Sequence, residues 1–280
     1  MAVKLITDSG CDLSVTEAAE LDVLLVPMTV RFGQEEFRSG LDITNEEFYD
    51  KLTGSSELPT TSQPTPYDFE SVYQKVIAAG DEAVVLCVSS DLSGTYQSAS
   101  IAADGLEDRI HVVDTRVVTV VQRLLLEYAI YLRSPNATAA QIAEKLNKKK
   151  EYARAFAVVD TLEYLIKGGR LSKTAGAIGS MLGIRPGLTL ADGALEVAGK
   201  ARGAKGAITM TNKLIGAMAI DFSMPVALGY TGSDTAVIDP YLNADDSPWA
   251  GREIPVYQVG STVGTHTGPG LFLVAFFEKT

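Results

Sequence analysis

The sequence is poor in the residues that build disulfide frameworks and metal centres, with two cysteines and two histidines among 280 residues. Cys11 and Cys87 are too few for a disulfide framework and indicate a reducing compartment. No cysteine and histidine spacing fits zinc. No Walker-type phosphate loop occurs, and no G-x-G-x-x-G follows the first predicted strand. The serine elbow G-x-S-x-G is also absent, because the chain reads DLSGT around Ser93.

Basic residues are scarce relative to acidic ones, with 24 Lys and Arg against 35 Asp and Glu and a net charge of −11. This balance argues against nucleic acid or an anionic membrane as the main partner. The apolar stretch that comes nearest to the length of a membrane span is TVVQRLLLEYAIYL, and Arg123 and Glu127 interrupt it. The opening MAVKLITDSG reads as a strand and not as a signal peptide. We therefore expect a soluble cytoplasmic protein with no stable membrane insertion.

The two halves of the chain differ in how their predicted strands and helices follow one another. In the first half, continuous apolar strands such as EAVVLCV alternate with amphipathic helices, which predicts a parallel sheet covered on both sides. In the second half, strands also come in hairpins, one with its turn at Asp192-Gly193. The expected fold class is α/β. An N-terminal parallel-sheet α/β domain, residues 1–155, precedes a C-terminal α+β sandwich domain, residues 156–280.

The stretch SSDLSGTYQSA follows an apolar strand and opens a predicted helix. The first amides of a helix have no intrahelical partner and carry the positive end of the helix dipole. Glycine at Gly94 lets a ligand approach the backbone, and the hydroxyls of Ser93 and Thr95 can donate hydrogen bonds. The stretch therefore suits an anion, although a serine that only caps the helix explains the same pattern.

Two further stretches, TTSQPT and GTHTGPG, read as polar loops in an apolar chain. His266 lies in the second of these, whereas His111 lies within the strand RIHVVD and is expected to be a packed residue. A nucleophile and base pair of Ser93 and His266 is conceivable, but it needs an orienting carboxylate. Asp8, at the end of the first strand, is either an acid or metal ligand or a cap for the next turn.

Five motifs together resemble the DegV family, in order and at similar spacing: KLITDSGCDLS, TSQPT, SSDLSGTYQSA, DTLEYLIKGGRLS and GTHTGPG. The resemblance covers essentially the whole chain. Members are two-domain α/β proteins that bind one long-chain fatty acid. The best understood act as the fatty-acid-binding (FakB-like) subunit of a bacterial fatty acid kinase. They present the carboxylate to a separate ATP-binding subunit, which makes an acyl phosphate for phospholipid synthesis.

The resemblance implies a binding subunit without catalysis of its own, with a fatty acid as ligand and no cofactor or metal. Thr61 and Ser93 resemble the residues that hold the carboxylate, and Gly94 is expected to add its backbone amide. His266 matches a histidine near the head group. Because these residues come from both halves of the chain, the ligand is expected at the domain interface, a common place for pockets.

Two arginines, Arg170 in GGRLS and Arg202 in GKARGAKG, resemble family residues near the carboxylate or at the surface that docks the kinase. Candidate residues for the apolar tunnel come from the second half: Ile178, Met181 and Leu182. The chain departs from the family pattern at Gly10-Cys11 and after HVVD, where bulky TRVVTVVQRLLLE replaces serines and glycines. The second departure puts the preferred acyl length in question.

The residues leave other functions open. A lipid carrier or sensor without a kinase partner would need the same cavity, and a hydrolase would use Ser93 and His266.

Overall fold

The computed structural model describes residues 2–172, 183–244 and 247–279. The strands in these ranges are β1 Val3–Asp8, β2 Val23–Val26, β3 Thr29–Phe32, β4 Glu35–Arg38, β5 Thr60–Ser62, β6 Glu82–Cys87, β7 Ile110–Asp114, β8 Ala153–Val158, β9 Ile184–Ala191, β10 Ala194–Arg202, β11 Ala227–Tyr230, β12 Val256–Gln258 and β13 Phe272–Phe277. The α-helices are α1 Val15–Glu20, α2 Asn45–Gly54, α3 Pro66–Ala78, α4 Thr95–Ala102, α5 Val120–Leu132, α6 Ala139–Lys149, α7 Glu163–Lys167, α8 Gly203–Gly216, α9 Asp239–Leu242 and α10 Ser261–Thr267.

The first sheet is fully parallel, with strand order β2-β1-β6-β7. Every residue of β6 is buried, as the unbroken apolar run predicts for a strand covered on both faces. The carboxyl ends of β1 and β6 lie side by side, so the loops after Asp8 and Cys87 emerge at one edge. This is the edge at which open α/β sheets bind ligands.

A small antiparallel sheet, in the order β4-β3-β5, is inserted between β2 and β6 of the first sheet. Strands β3 and β4 form an antiparallel hairpin. The prediction that TTSQPT is a loop was wrong in part, because β5 pairs with β3 and brings Thr61 opposite Val30. Strand β5 has only three residues and lies between two prolines, so the alternation of apolar and polar residues that marks a strand cannot be seen in its sequence.

The second sheet has the order β10-β9-β8-β13-β11-β12. Its neighbours are antiparallel except for β11 and β12, which are parallel. The hairpin of β9 and β10 turns at Asp192 and Gly193, which have φ values of 47° and 85°. Both values suit the two-residue turn that the sequence predicted. The expected combination of a parallel α/β unit with an α+β unit is confirmed.

The two faces of the second sheet pack against different partners. Phe272, Val274 and Phe276 lie in a core cluster with Ile215 of α8. The alternate residues of β13 join a core cluster that also contains residues of β1, β6 and α5. Helix α5 contacts β1 as well as β8, β11 and β13. The two units therefore share one apolar core along α5.

Strand β8, Ala153–Val158, spans the predicted domain boundary at residue 155 and belongs to the second sheet. The division at that residue stays a prediction. Within the ranges that the structure describes, none of the helices combines the length and hydropathy needed to cross a bilayer.

The prediction that GTHTGPG is a loop was wrong in part, because residues 261–267 form α10 and the residues from Gly268 to Gly270 are the loop that follows it. Glycine and threonine favour helices weakly, so tertiary contacts must hold this helix. The carboxylate of Asp12 accepts a hydrogen bond from the Gly260 amide at 2.9 Å, at the helix start. Tyr49 donates to the carbonyl of Val259 at 2.8 Å. Gly268 ends the helix with a φ of 68°, a value that favours glycine.

Candidate functional site

A largely apolar cavity lies between the inner face of the second sheet and the loops at the carboxyl edge of the first sheet. Its apolar lining residues are Met28, Val88, Leu92, Val118, Ala155, Ala157, Leu165, Leu188, Leu190, Leu195, Val263, Leu271 and Leu273. Its polar lining residues are Thr61, Ser93, Thr119, Arg170, Thr189, Thr262, His266 and Thr267. Among the described residues of this lining, Arg170 is the one that carries a formal charge.

Four residues predicted from the sequence line this cavity together: Thr61, Ser93, Arg170 and His266. They come from β5, the loop before α4, the segment after α7, and α10. Each is partly exposed, so this group lies between the buried apolar lining and solvent. Thr61 Oγ1 lies 2.7 Å from His266 Nε2, and Ser93 Oγ lies 2.9 Å from Thr95 Oγ1. The tertiary structure thus brings hydroxyls, an imidazole and a guanidinium to one end of the cavity.

The guanidinium of Arg170 is held against the loop that carries Ser93. Its Nε donates to the carbonyl of Leu92 at 3.0 Å, and its Nη1 donates to the carbonyl of Gly168 at 2.8 Å. Burial lowers the pKa of Arg170 from its ordinary value. The guanidinium stays charged because that ordinary value is above 12. The cavity therefore carries a fixed positive charge beside the two hydroxyls.

His266 is neutral at physiological pH. Burial, together with the nearby charge of Arg170, lowers the pKa of His266 to about 4. Its Nδ1 is buried and has no hydrogen-bond partner within the described part of the chain. A Cβ at Gly168 would collide with this atom, so glycine is required there for the ring to fit.

The geometry does not support the Ser93 and His266 catalytic pair. The Ser93 hydroxyl is hydrogen-bonded to Thr95, and His266 Nε2 is bonded to Thr61. A general base needs its second nitrogen oriented by an acceptor, and among the described residues Nδ1 has no such partner. A histidine with a pKa of about 4 is also a weak base near neutral pH.

The remaining predicted residues lie outside the lining. Gly94 is the residue before α4, and its carbonyl accepts a hydrogen bond from Gln63 Nε2 at 3.1 Å. Arg202 is exposed at the end of β10. His111 lies in β7 opposite Val84, away from the cavity. The tunnel candidates fall outside the described residues: Ile178, Met181 and Leu182.

Sequence reasoning missed most of the apolar lining. Ala155 and Ala157 are alternate residues of β8, and the period of two in β8 and β13 could have separated the cavity face from the α8 face. Val118 and Thr119 also line the cavity. They belong to the bulky segment that departs from the family pattern, so that departure does reach the cavity wall.

Two buried carboxyl groups support the loops around the cavity. Asp8 accepts hydrogen bonds from the amides of Gly10 at 2.8 Å and Val88 at 2.7 Å, and it caps the turn after β1. Asp12 accepts from the amide of Gly260 and from the hydroxyl of Thr119. Burial raises the pKa of Asp8 to about 6 and that of Asp12 to about 7. Of the two alternatives for Asp8, the structure shows the cap.

Comparisons with known proteins agree with this architecture. The family model described as "Uncharacterised protein, DegV family" matches residues 2–279. A DegV domain-containing protein from Caldanaerobacter subterraneus is 33% identical over 283 residues, which cover 99% of each chain.

Several solved structures of similar proteins are described as fatty-acid-binding. A Thermus thermophilus protein described by its fatty acid binding is 30% identical, covers 100% of each chain and has a TM-score of 0.87. A Thermotoga maritima protein said to reveal a fatty acid binding function is 27% identical over 100% of each chain, with a TM-score of 0.83. A stearic acid-binding protein from Eubacterium ventriosum is 27% identical over 98% of each chain, with a TM-score of 0.82. By the family model and these relatives, this chain belongs to the DegV family.

Proposed function

We propose that the protein binds a long-chain fatty acid in the cavity between its two units, residues 1–155 and 156–280. One observation carries this proposal: the fixed guanidinium of Arg170 and the hydroxyls of Thr61 and Ser93 lie together at one end of a lining whose charge is Arg170 and whose other residues are apolar or neutral among those described. A carboxylate with a long alkyl chain has the same division of charge and hydrocarbon. Related proteins that are described as fatty-acid-binding support this ligand class.

The two ends of the ligand contribute differently to affinity. Burying about 15 methylenes at roughly 0.8 kcal/mol each yields on the order of 12 kcal/mol before the costs of binding. Each charge-assisted hydrogen bond to the carboxylate adds about 1.5–3 kcal/mol. The acyl chain therefore dominates the affinity. The polar end fixes which end of the ligand faces solvent.

In the proposed complex, Thr61, Ser93 and the charge of Arg170 hold the carboxylate, and His266 supports Thr61. The amide of Gly94, at the start of α4, adds the positive end of that helix. These groups are half-buried, so the carboxylate stays within reach of another protein. We propose that the chain catalyses no reaction itself and presents this carboxylate to a separate ATP-dependent kinase subunit. That subunit would form an acyl phosphate for phospholipid synthesis, and we propose a cytoplasmic location because ATP is supplied there.

Mass spectrometry of the purified protein tests the ligand. We expect a bound fatty acid under native conditions and its release, without covalent attachment, after denaturing organic extraction. The extraction also identifies the acyl length. A protein that carries no lipid and takes up none from a mixed fatty acid pool would refute the proposed function. Turnover of an acyl ester by the isolated protein would instead favour the hydrolase.

A charge reversal at Arg202 tests the kinase partner. Arg202 is exposed and lies outside the cavity lining, so Arg202→Glu should leave fatty acid binding unchanged. Formation of acyl phosphate with ATP and the ATP-binding subunit of a bacterial fatty acid kinase should fall. Lys148→Glu, an exposed charge reversal on α6, is the matched control. If neither the wild type nor the control supports acyl phosphate formation, the carrier or sensor function is favoured.

A further inference from the structure

The side chain of Gln63 connects the strand that carries Thr61 to the helix that follows Ser93. Gln63 comes directly after β5, and its Nε2 donates to the carbonyl of Gly94 at 3.1 Å and to the hydroxyl of Ser98 at 3.0 Å. Both protons of the amide are used in these two bonds. The contact joins two segments that are 31 residues apart in the chain.

Gly94 provides the space for this contact. A Cβ at Gly94 would collide with Oε1, Cδ and Nε2 of Gln63. The backbone of Gly94 has a φ of −72°, which every residue type adopts. Glycine is therefore required at this position for room beside the Gln63 amide and not for its conformation.

The strand that carries Thr61 has few other attachments. Strand β5 has three residues, lies at the edge of its sheet and pairs with β3. The residues from 53 to 58 that precede it are exposed. The side chain of Thr61 adds one hydrogen bond, to His266. Helix α3, which begins at Pro66, also packs against α4, and Tyr73 donates to the carbonyl of Ala99 near the end of that helix. At the start of α4, the described side-chain hydrogen bonds to the segment of β5 are those of Gln63.

We propose that Gln63 is a positioning residue for the carboxylate site, and we name its contact with Gly94 and Ser98 the Gln63 latch. The inference rests on the proposed fatty acid function. Thr61 and Ser93 belong to different segments, yet both hydroxyls must reach one carboxylate. Hydrogen bonds weaken steeply when their geometry is poor. By fixing the two segments before the ligand arrives, the Gln63 latch lowers the ordering cost of binding.

A double-mutant cycle tests the Gln63 latch. The variants are Gln63→Ala, which removes the amide, Gly94→Ala, which fills its place, and the combination of both. Gln97→Ala, an exposed glutamine on α4, is the matched control. The dissociation constant is measured for hexadecanoic acid and for hexadecanol, which shares the acyl chain but lacks the charge.

We expect each single variant to weaken hexadecanoic acid binding roughly 3- to 10-fold, which lies within the range for coupled neighbours. Hexadecanol binding should change less than about twofold, because the tail contacts are intact. Because both substitutions break the same contact, the double variant should bind hexadecanoic acid no more weakly than the weaker-binding of the two single variants. The control should match the wild type.

Four outcomes contradict the Gln63 latch in distinguishable ways. A wild-type protein that binds neither compound refutes the proposed function as well. A loss of acid binding in Thr61→Val but not in Gln63→Ala overturns the latch and leaves the function standing. Equal losses for acid and alcohol, with a lower melting temperature, show that Gln63 only stabilises the fold. Additive losses in the double variant show that Gln63 and Gly94 act independently.

Discussion

Replacing Thr61 by valine removes one hydroxyl from the proposed carboxylate site and keeps the shape of the side chain. His266 is neutral because its pKa is about 4, and its Nε2 lies 2.7 Å from Thr61 Oγ1. With the imidazole proton on Nε2, the ring donates to Thr61, and the threonine proton is available to the carboxylate. Thr61→Val therefore removes one charge-assisted hydrogen bond, worth about 1.5–3 kcal/mol.

The expected result is a rise in the dissociation constant for hexadecanoic acid of roughly 10- to 150-fold. Hexadecanol forms only a neutral hydrogen bond there and should lose less than about 10-fold. Isothermal titration calorimetry or displacement of a fluorescent fatty acid measures both constants. Thr60→Val is the matched control, because Thr60 is the neighbouring residue of β5 and is exposed. Equal losses for acid and alcohol, or a change within about threefold for the acid, would refute the reasoning.

Two further predictions concern the tail of the ligand and pH. Ala157→Leu places extra carbons in the cavity from β8, so long acids should lose about 1–3 kcal/mol of binding free energy while shorter acids lose less. Titration with acids of graded length checks this, with Ala198→Leu, on the exposed side of β10, as the control; a uniform loss at all lengths contradicts it. Burial raises the pKa of Asp12 from 3.8 to about 7, so its stabilising contribution is complete below about pH 4 and is lost as the pH rises towards 7. Asp12→Asn removes this titration. Between pH 5 and pH 8 the free energy of unfolding in urea should therefore fall by about 3 kcal/mol more for the wild type than for the variant, and equal changes in the two proteins would count against the burial argument.

The local patterns of the sequence determined the fold class. The unbroken apolar run of β6 predicted a strand buried on both faces, and the turn at Asp192-Gly193 predicted a hairpin. Both follow from neighbouring residues, whose periodicity and turn preferences are fixed before any tertiary contact forms. The motifs that resemble the DegV family also named the four polar residues that line one end of the cavity.

Only the tertiary structure decided how those residues meet. Helix α10 has a sequence that favours a loop. Asp12 and Tyr49, more than 200 residues away in the chain, hold the backbone directly before its first turn. The apolar lining comes from many elements, among them β8, β9 and the start of β13, and each of its residues taken alone resembles ordinary core. Nor could the sequence show that Gly94 makes room for Gln63, since the two residues meet only when β5 lies beside α4. Local periodicity fixes which residues form strands and helices, whereas a cavity depends on the distances between elements that are remote in the chain.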